Sequence, residues 1–141
     1  MNDTQRARAG WGFWVICLLG LLWNAGGAAN YLMQTDPAHV SNLPATHQAL
    51  IVDRPVWATA GFAVGVFGGA FGCVLLMWRR RVALPVLLVS VIGIVLTVVH
   101  TLNVALGGVA FSAVEWVLIG VLPLLVALGL AAYARGVLRR T

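Results

Sequence analysis

The chain contains no lysine, four acidic residues and two cysteines in 141 positions. Charged residues make up 9% of it, where a water-soluble domain carries about 25%. A chain so poor in charge cannot cover a water-facing surface. Cys17 and Cys73 both fall inside apolar runs, which excludes a disulfide framework and leaves them as small buried apolar side chains. The chain also lacks a phosphate-binding glycine loop, a nucleophile beside a base, paired carboxylates and a cysteine–histidine cluster. No enzyme activity, catalytic residue, cofactor or metal site is therefore expected. The net charge of +5 comes from arginines at the ends of apolar segments and not from a basic soluble face. That points to anionic lipid headgroups as partners, and not to nucleic acid.

What remains is apolar: 61% of residues are hydrophobic and the mean hydropathy is +0.94. The organising stretch is residues 55–81. From Val56 to Trp78 it carries no charge, enough for a helix to cross about 30 Å of hydrocarbon. Gly61, Gly65 and Gly69 fall four apart, as do Gly68 and Gly72, so they form a small-residue face on which another helix can pack. That face serves packing within one chain or the seam of a homodimer. The stretch ends on Arg79, Arg80 and Arg81, which mark the cytoplasmic end.

The other segments follow the same logic. A polar tail with Arg6 and Arg8 precedes an apolar run over 11–33. Its Gly26-Gly27-Ala28-Ala29 stretch has the small residues of a signal-peptide cleavage site, but the run continues through Tyr31-Leu32-Met33, so it reads as a membrane span. Residues 34–54 form the one substantial loop. Asp36-Pro37 reads as a helix start, with Asp as cap and Pro at the first helical position, or as a turn, and the stretch that Pro44 opens is expected as a short helix lying at the membrane surface. The third span covers 83–106, with Pro85 in its first turn and Gly107-Gly108 after it. Ser112 and Glu115 have the spacing of a capping box that opens the fourth span, 113–133, in which Pro123 predicts a kink. Eight of the nine arginines fall on one side of this arrangement and Arg54 alone on the other. The expected fold is an all-α bundle of four spans in a single domain, residues 1–141. Both termini are in the cytoplasm and one longer loop is periplasmic. The tryptophans at 11, 14, 57, 78 and 116 lie near segment ends, as interfacial anchors do.

Several stretches are familiar in combination: Leu21-Leu22-Trp23-Asn24 followed by Asn30-Tyr31-Leu32-Met33-Gln34, then Pro55-Val56-Trp57 with the glycine-rich span, the basic turn, Ala83-Leu84-Pro85, and Ala132-Tyr133-Ala134-Arg135. The pattern resembles a family of small four-span bacterial membrane proteins that often carry the automatic label "sugar transporter". The resemblance covers most of the chain. It implies a four-span fold in the bacterial inner membrane and carries over no activity or catalytic residue. In that family the position of Asn30 is usually acidic and that of His100 more often glutamine or another residue, so this chain departs from the pattern at both.

Polar side chains at membrane depth are costly and mark candidate sites. Asn24, Asn30, His100, Asn103 and Glu115 all fall in the outer half of the bilayer or at its outer edge, and Trp23, seven residues before Asn30, shares its face. They predict an outward-open polar pocket between the first, third and fourth spans. His100 lies ~10 Å deep by helical rise and is three residues from Asn103; Thr97 extends that face inward. Each has a structural role to set beside the binding one. Glu115 serves as a cap, Asn24 and Asn103 as interhelical hydrogen bonds, and His100 as a side chain bonded to Asn103, Asn24 or a carbonyl. His39, His47, Asp36 and Asp53 match no metal spacing and read as solvated loop residues. The expected function is that of an accessory subunit in a larger membrane complex or an outer-leaflet lipid or small-molecule binder, with a homo-oligomeric small-solute transporter as the alternative.

Overall fold

A computed structural model describes residues 10–140; Arg6 and Arg8 lie outside that range. It is all-helical. Helices α1 (Trp11–Met33), α4 (Val56–Met77), α5 (Ala83–Leu106) and α6 (Ala113–Arg139) are each long and apolar enough to cross a membrane. Two short helices, α2 (Pro37–Ser41) and α3 (Ala45–Ile51), occupy the loop between the first two spans. The sequence places the last span at 113–133, but the helix continues to Arg139. No proline follows Tyr133, the single Gly136 is tolerated inside the helix, and the arginines of that extension are good helix formers.

The local signals act where the sequence puts them. The Asp36 side chain accepts from Ala38 N–H at 3.0 Å, capping α2 ahead of Pro37. Ser112 and Glu115 form the reciprocal capping box of α6. Helix α4 ends in a Schellman motif: Arg80 N–H donates to Leu75 C=O (2.9 Å) and Arg79 N–H to Leu76 C=O (2.8 Å), with Arg79 in the left-handed conformation at φ 53°. In α6 the proline is accommodated by a turn of π-helix over Trp116–Val121. Pro123 has no N–H for a carbonyl four residues back. Placing it in the first turn of the α-helical half, after a wider turn, removes the need for that bond.

The spans pack in chain order, α1 on α4, α4 on α5, and α5 on α6. The glycines of α4 explain how closely. Along α4, Gly61, Gly65, Gly68 and Gly72 face Leu96, Ile94, Ser90 and Leu87 in turn, descending α5 as the glycines ascend α4. The Ser90 hydroxyl donates to Gly65 C=O at 2.6 Å, an interhelical bond of roughly 1 kcal/mol in a membrane. Gly69 turns the other way and receives the Asn24 side chain of α1. The glycine face is therefore filled by α1 and α5 of the same chain.

The well-packed core is at one end. Phe13, Cys17, Cys73, Leu76, Ala83, Leu87, Leu130, Ala131 and Ala134 form one buried cluster drawn from all four spans. It lies beside the basic turn, where the Arg79 guanidinium sits 5.2 Å from the Phe13 ring centroid. Cys17 and Cys73 are both fully buried there as free thiols. Here α1 and α6 meet, Phe13 against Tyr133 with ring centroids 6.4 Å apart and Gly20 under Leu130. Toward the opposite, loop-bearing end the core gives out.

Candidate functional site

Where the core ends, a cavity of about 540 Å³ begins. Helix α1 contributes Leu22, Trp23, Asn24, Gly26, Gly27 and Asn30 to its wall. Facing it across the cavity, α6 contributes Leu118, Ile119, Pro123, Val126 and Ala127. Ala58, Phe62 and Val66 of α4 and Ile94, Thr97, His100 and Thr101 of α5 form the back. The loop covers the end with Gln34, His47, Leu50, Ile51 and Arg54. The pocket expected between three spans thus has four walls and a lid; α4 belongs to it because the gap between α1 and α6 exposes the helix behind. Leu22 and Leu118 flank that gap and remain 67% and 55% exposed. The cavity is therefore not closed between α1 and α6.

Four of the five expected site residues line this cavity: Trp23, Asn24, Asn30 and His100. Asn103 does not; it is exposed on the outer surface of α5. The cavity-facing positions of α5 are 94, 97, 100 and 101. At 100° per residue, Asn103 is displaced 60° from His100 and 160° from Thr101, which carries it away from the cavity.

His100 is 7% exposed. Its Nε2 lies 3.0 Å from Leu50 C=O, and since a carbonyl only accepts, the ring nitrogen is the donor. The ring stands edge-on to Trp57 at 6.0 Å. Of the partners considered for it, the carbonyl is the one used, and the bond ties α3 to α5. A second tie runs to α6: the Thr46 hydroxyl donates to Glu115 Oε1, and His47 Nδ1 lies 3.8 Å from the same oxygen. Glu115 thus caps α6 and anchors α3 at once. Gln48 Nε2 donates to Leu43 C=O (2.7 Å) and Ser41 C=O (3.2 Å), joining α3 to α2. The short helix that Pro44 opens is a lid held at both sides. Among the described residues no three metal-ligating side chains gather.

Asn24, also 7% exposed, donates from Nδ2 to Gly20 C=O of its own helix at 2.8 Å. Its Oδ1 fills the hollow at Gly69, where a Cβ would lie 2.0 Å away. Gly69→Ala is accordingly expected to cost about 2 kcal/mol by overpacking. In an Asn24→Ala background most of that cost should disappear. Thermal unfolding of the four proteins of this cycle checks the coupling.

Arg54 is the functional candidate that sequence reasoning passed over, having used it only as the exception to the arginine count. It lies just before α4, half-buried at the cavity wall. Its Nη1 donates to Gln34 Oε1 at 2.9 Å and its Nε to Thr59 Oγ1 at 3.2 Å. The guanidinium carbon lies 5.6 Å from the Phe62 ring centroid. Burial lowers its pKa from the ordinary arginine value, with the nearby Tyr31 acting the other way; an arginine starts so high that it stays cationic. Its signal in the sequence was its isolation from the other eight. Gly93 was passed over too. It lies alone in its span, and only the fold brings it against Gly61 and Gly65.

Comparison of the chain with protein-family models, with curated proteins and with solved structures gave no match.

Proposed function

We propose that this is a multi-pass protein of the bacterial cytoplasmic membrane, with both termini inside, that binds a lipid or an amphipathic small molecule in the outward half of the bilayer and performs no chemistry on it. The observation that carries this reading is the cavity of about 540 Å³ at the loop end. Its size is that of a small-molecule site, roughly 300–1,000 Å³. It opens laterally between α1 and α6, where a hydrophobic ligand would arrive from the membrane. Its wall is apolar with a few convergent polar groups, as binding sites are. The arginines support this orientation: among the described residues Arg79, Arg80, Arg81, Arg135, Arg139 and Arg140 lie toward the end opposite the cavity and only Arg54 lies at it. An accessory role within a larger complex is compatible with such binding.

An oligomeric transporter ranks below this reading. The glycine face that would serve as its seam is occupied within one chain. The test is native mass spectrometry on protein taken gently from its own membranes. A monomer retaining a small amphiphile is the expected result. A protein that carries no added mass under conditions that preserve lipid adducts on other membrane proteins overturns the reading.

A further inference from the structure

The cavity's polar groups are not evenly distributed. Its deep wall is mostly apolar, formed by Val66, Ile94, Ile119, Val126 and Ala127, with Asn24 and Thr97 as polar side chains that each donate to a carbonyl of their own helix, and its lid end holds Gln34 and Arg54. Arg54 is the one residue of fixed charge among the described residues that line it. Among the described residues no carboxylate lies within ion-pair distance of this guanidinium. Glu115, the acidic residue of α6 at this end, is committed elsewhere: Oε1 to Thr46 and His47, Oε2 to Ser112; Asp53, next to Arg54 in the chain, is exposed and forms no ion pair with it. A half-buried cation without a counter-charge is costly.

The geometry of Arg54 also differs from that of an arginine reaching out to water. Gln34 and Thr59 take two of its N–H groups and Phe62 lies beside it, so the planar head is held against the cavity. An arginine has five N–H donors; the remaining three form no hydrogen bond among the described residues. A planar fork with donors to spare matches the oxygens of a carboxylate or phosphate. The N-terminal end of α4, which begins two residues later, adds positive potential at the same place.

We propose that the cavity takes a small amphiphile with one apolar tail and an anionic head, carboxylate or phosphate, and that Arg54 binds the head. The tail lies along the apolar wall toward the bilayer centre and the head stays at the lid, the orientation a membrane amphiphile already has. This inference rests on the binding role proposed above and specifies its ligand class.

The experiment measures occupancy of the full-length protein by native mass spectrometry with four probes of equal chain length: laurate, dodecyl phosphate, dodecanol and dodecyltrimethylammonium. Laurate, dodecyl phosphate or both are expected to bind at least about tenfold more tightly than the other two, the value of a charge-assisted hydrogen bond. Whichever of the two is preferred identifies the head as carboxylate or phosphate. Arg54→Gln should abolish the preference by weakening the anions and leaving dodecanol unchanged, while Arg54→Lys, which keeps the charge and loses the planar fork, should keep only part of it. Equal binding of all four probes to the wild type overturns the proposal, and that comparison decides alone should Arg54→Gln fail to fold. So does a preference that survives Arg54→Gln. Gly26→Leu, which narrows the cavity, separates the two levels of the argument. If it weakens every probe while the anion preference is absent, the cavity binds and the assignment of Arg54 is wrong. If it weakens none, the cavity is not the site and both readings fall.

Discussion

Gly93→Leu should leave no folded protein to purify. A Cβ at this position would lie 2.5 Å from Gly61 C=O, 2.5 Å from Gly65 N and 3.0 Å from Gly65 Cα. All three are backbone atoms of α4, so no rotamer change can relieve the clash; the two helices must separate. Separation would also break the Ser90–Gly65 bond and open the row of contacts from Leu96 to Leu87. Overpacking a core costs about 1–3 kcal/mol where side chains can yield, and here they cannot. Even Gly93→Ala is expected to lower the unfolding midpoint clearly. Gly129→Ala provides the contrast. Nothing lies within 4 Å of a Cβ there, so replacing the glycine should be neutral or gain up to about 1 kcal/mol through helix propensity. Yield of folded protein reads out Gly93→Leu, and thermal unfolding in one detergent ranks the two alanine variants against the wild type. A Gly93→Leu protein as stable as the wild type would refute the packing described here.

Gly26→Leu is expected to do the reverse: keep the fold and remove the ligand. Gly26 lies on α1 among the cavity-lining residues, and a Cβ there meets nothing within 4 Å. A leucine side chain can enter the cavity without displacing a neighbour, and the exchange favours the helix by roughly 0.5–1 kcal/mol. The unfolding midpoint should hold or rise, while retention of small-molecule mass in native mass spectrometry should fall by about tenfold or more. Gly27, one residue on, is the control for careless placement. Its Cβ would lie 2.6 Å from Val66 Cγ1, so Gly27→Leu should cost stability as well as binding. Loss of bound mass in Gly27→Leu but not in Gly26→Leu would point to general destabilisation, and the binding reading would lose its support.

These two glycine substitutions have opposite expected outcomes, although both residues lie within apolar helices. The four-residue spacing of Gly61, Gly65 and Gly69 marks a packing face, but spacing treats its members alike. The structure separates them: Gly61, Gly65 and Gly72 press on α5, Gly69 holds an α1 side chain, and Gly68 has room for an ordinary contact, its Cβ 3.5 Å from Ser90. Which helix each faces depends on how three spans are arranged around one, and helical periodicity describes one span at a time.

The four spans, the loop helix that Pro44 opens and both side-chain caps were legible because each rests on local chemistry; that Asp36-Pro37 starts a helix rather than a turn was not. An uncharged run of some twenty residues must bury its backbone polar groups in a helix, and a serine three residues before a glutamate satisfies a helix start wherever it occurs. The clustering of Asn24, Asn30 and His100 at one end was legible for the same reason, since membrane depth follows from position along a span. Their partners depended on contacts distant in sequence. His100 bonds Leu50, fifty residues away, and Thr46 bonds Glu115, sixty-nine away. Asn103 shares a depth with His100 and faces the other way. The cavity itself, and the turning of Arg54 toward it, arise because α1 and α6 meet at Phe13, Gly20, Leu130 and Tyr133 and leave a gap beyond. Local composition determined what could cross the membrane; the space left between the helices was decided by how they pack.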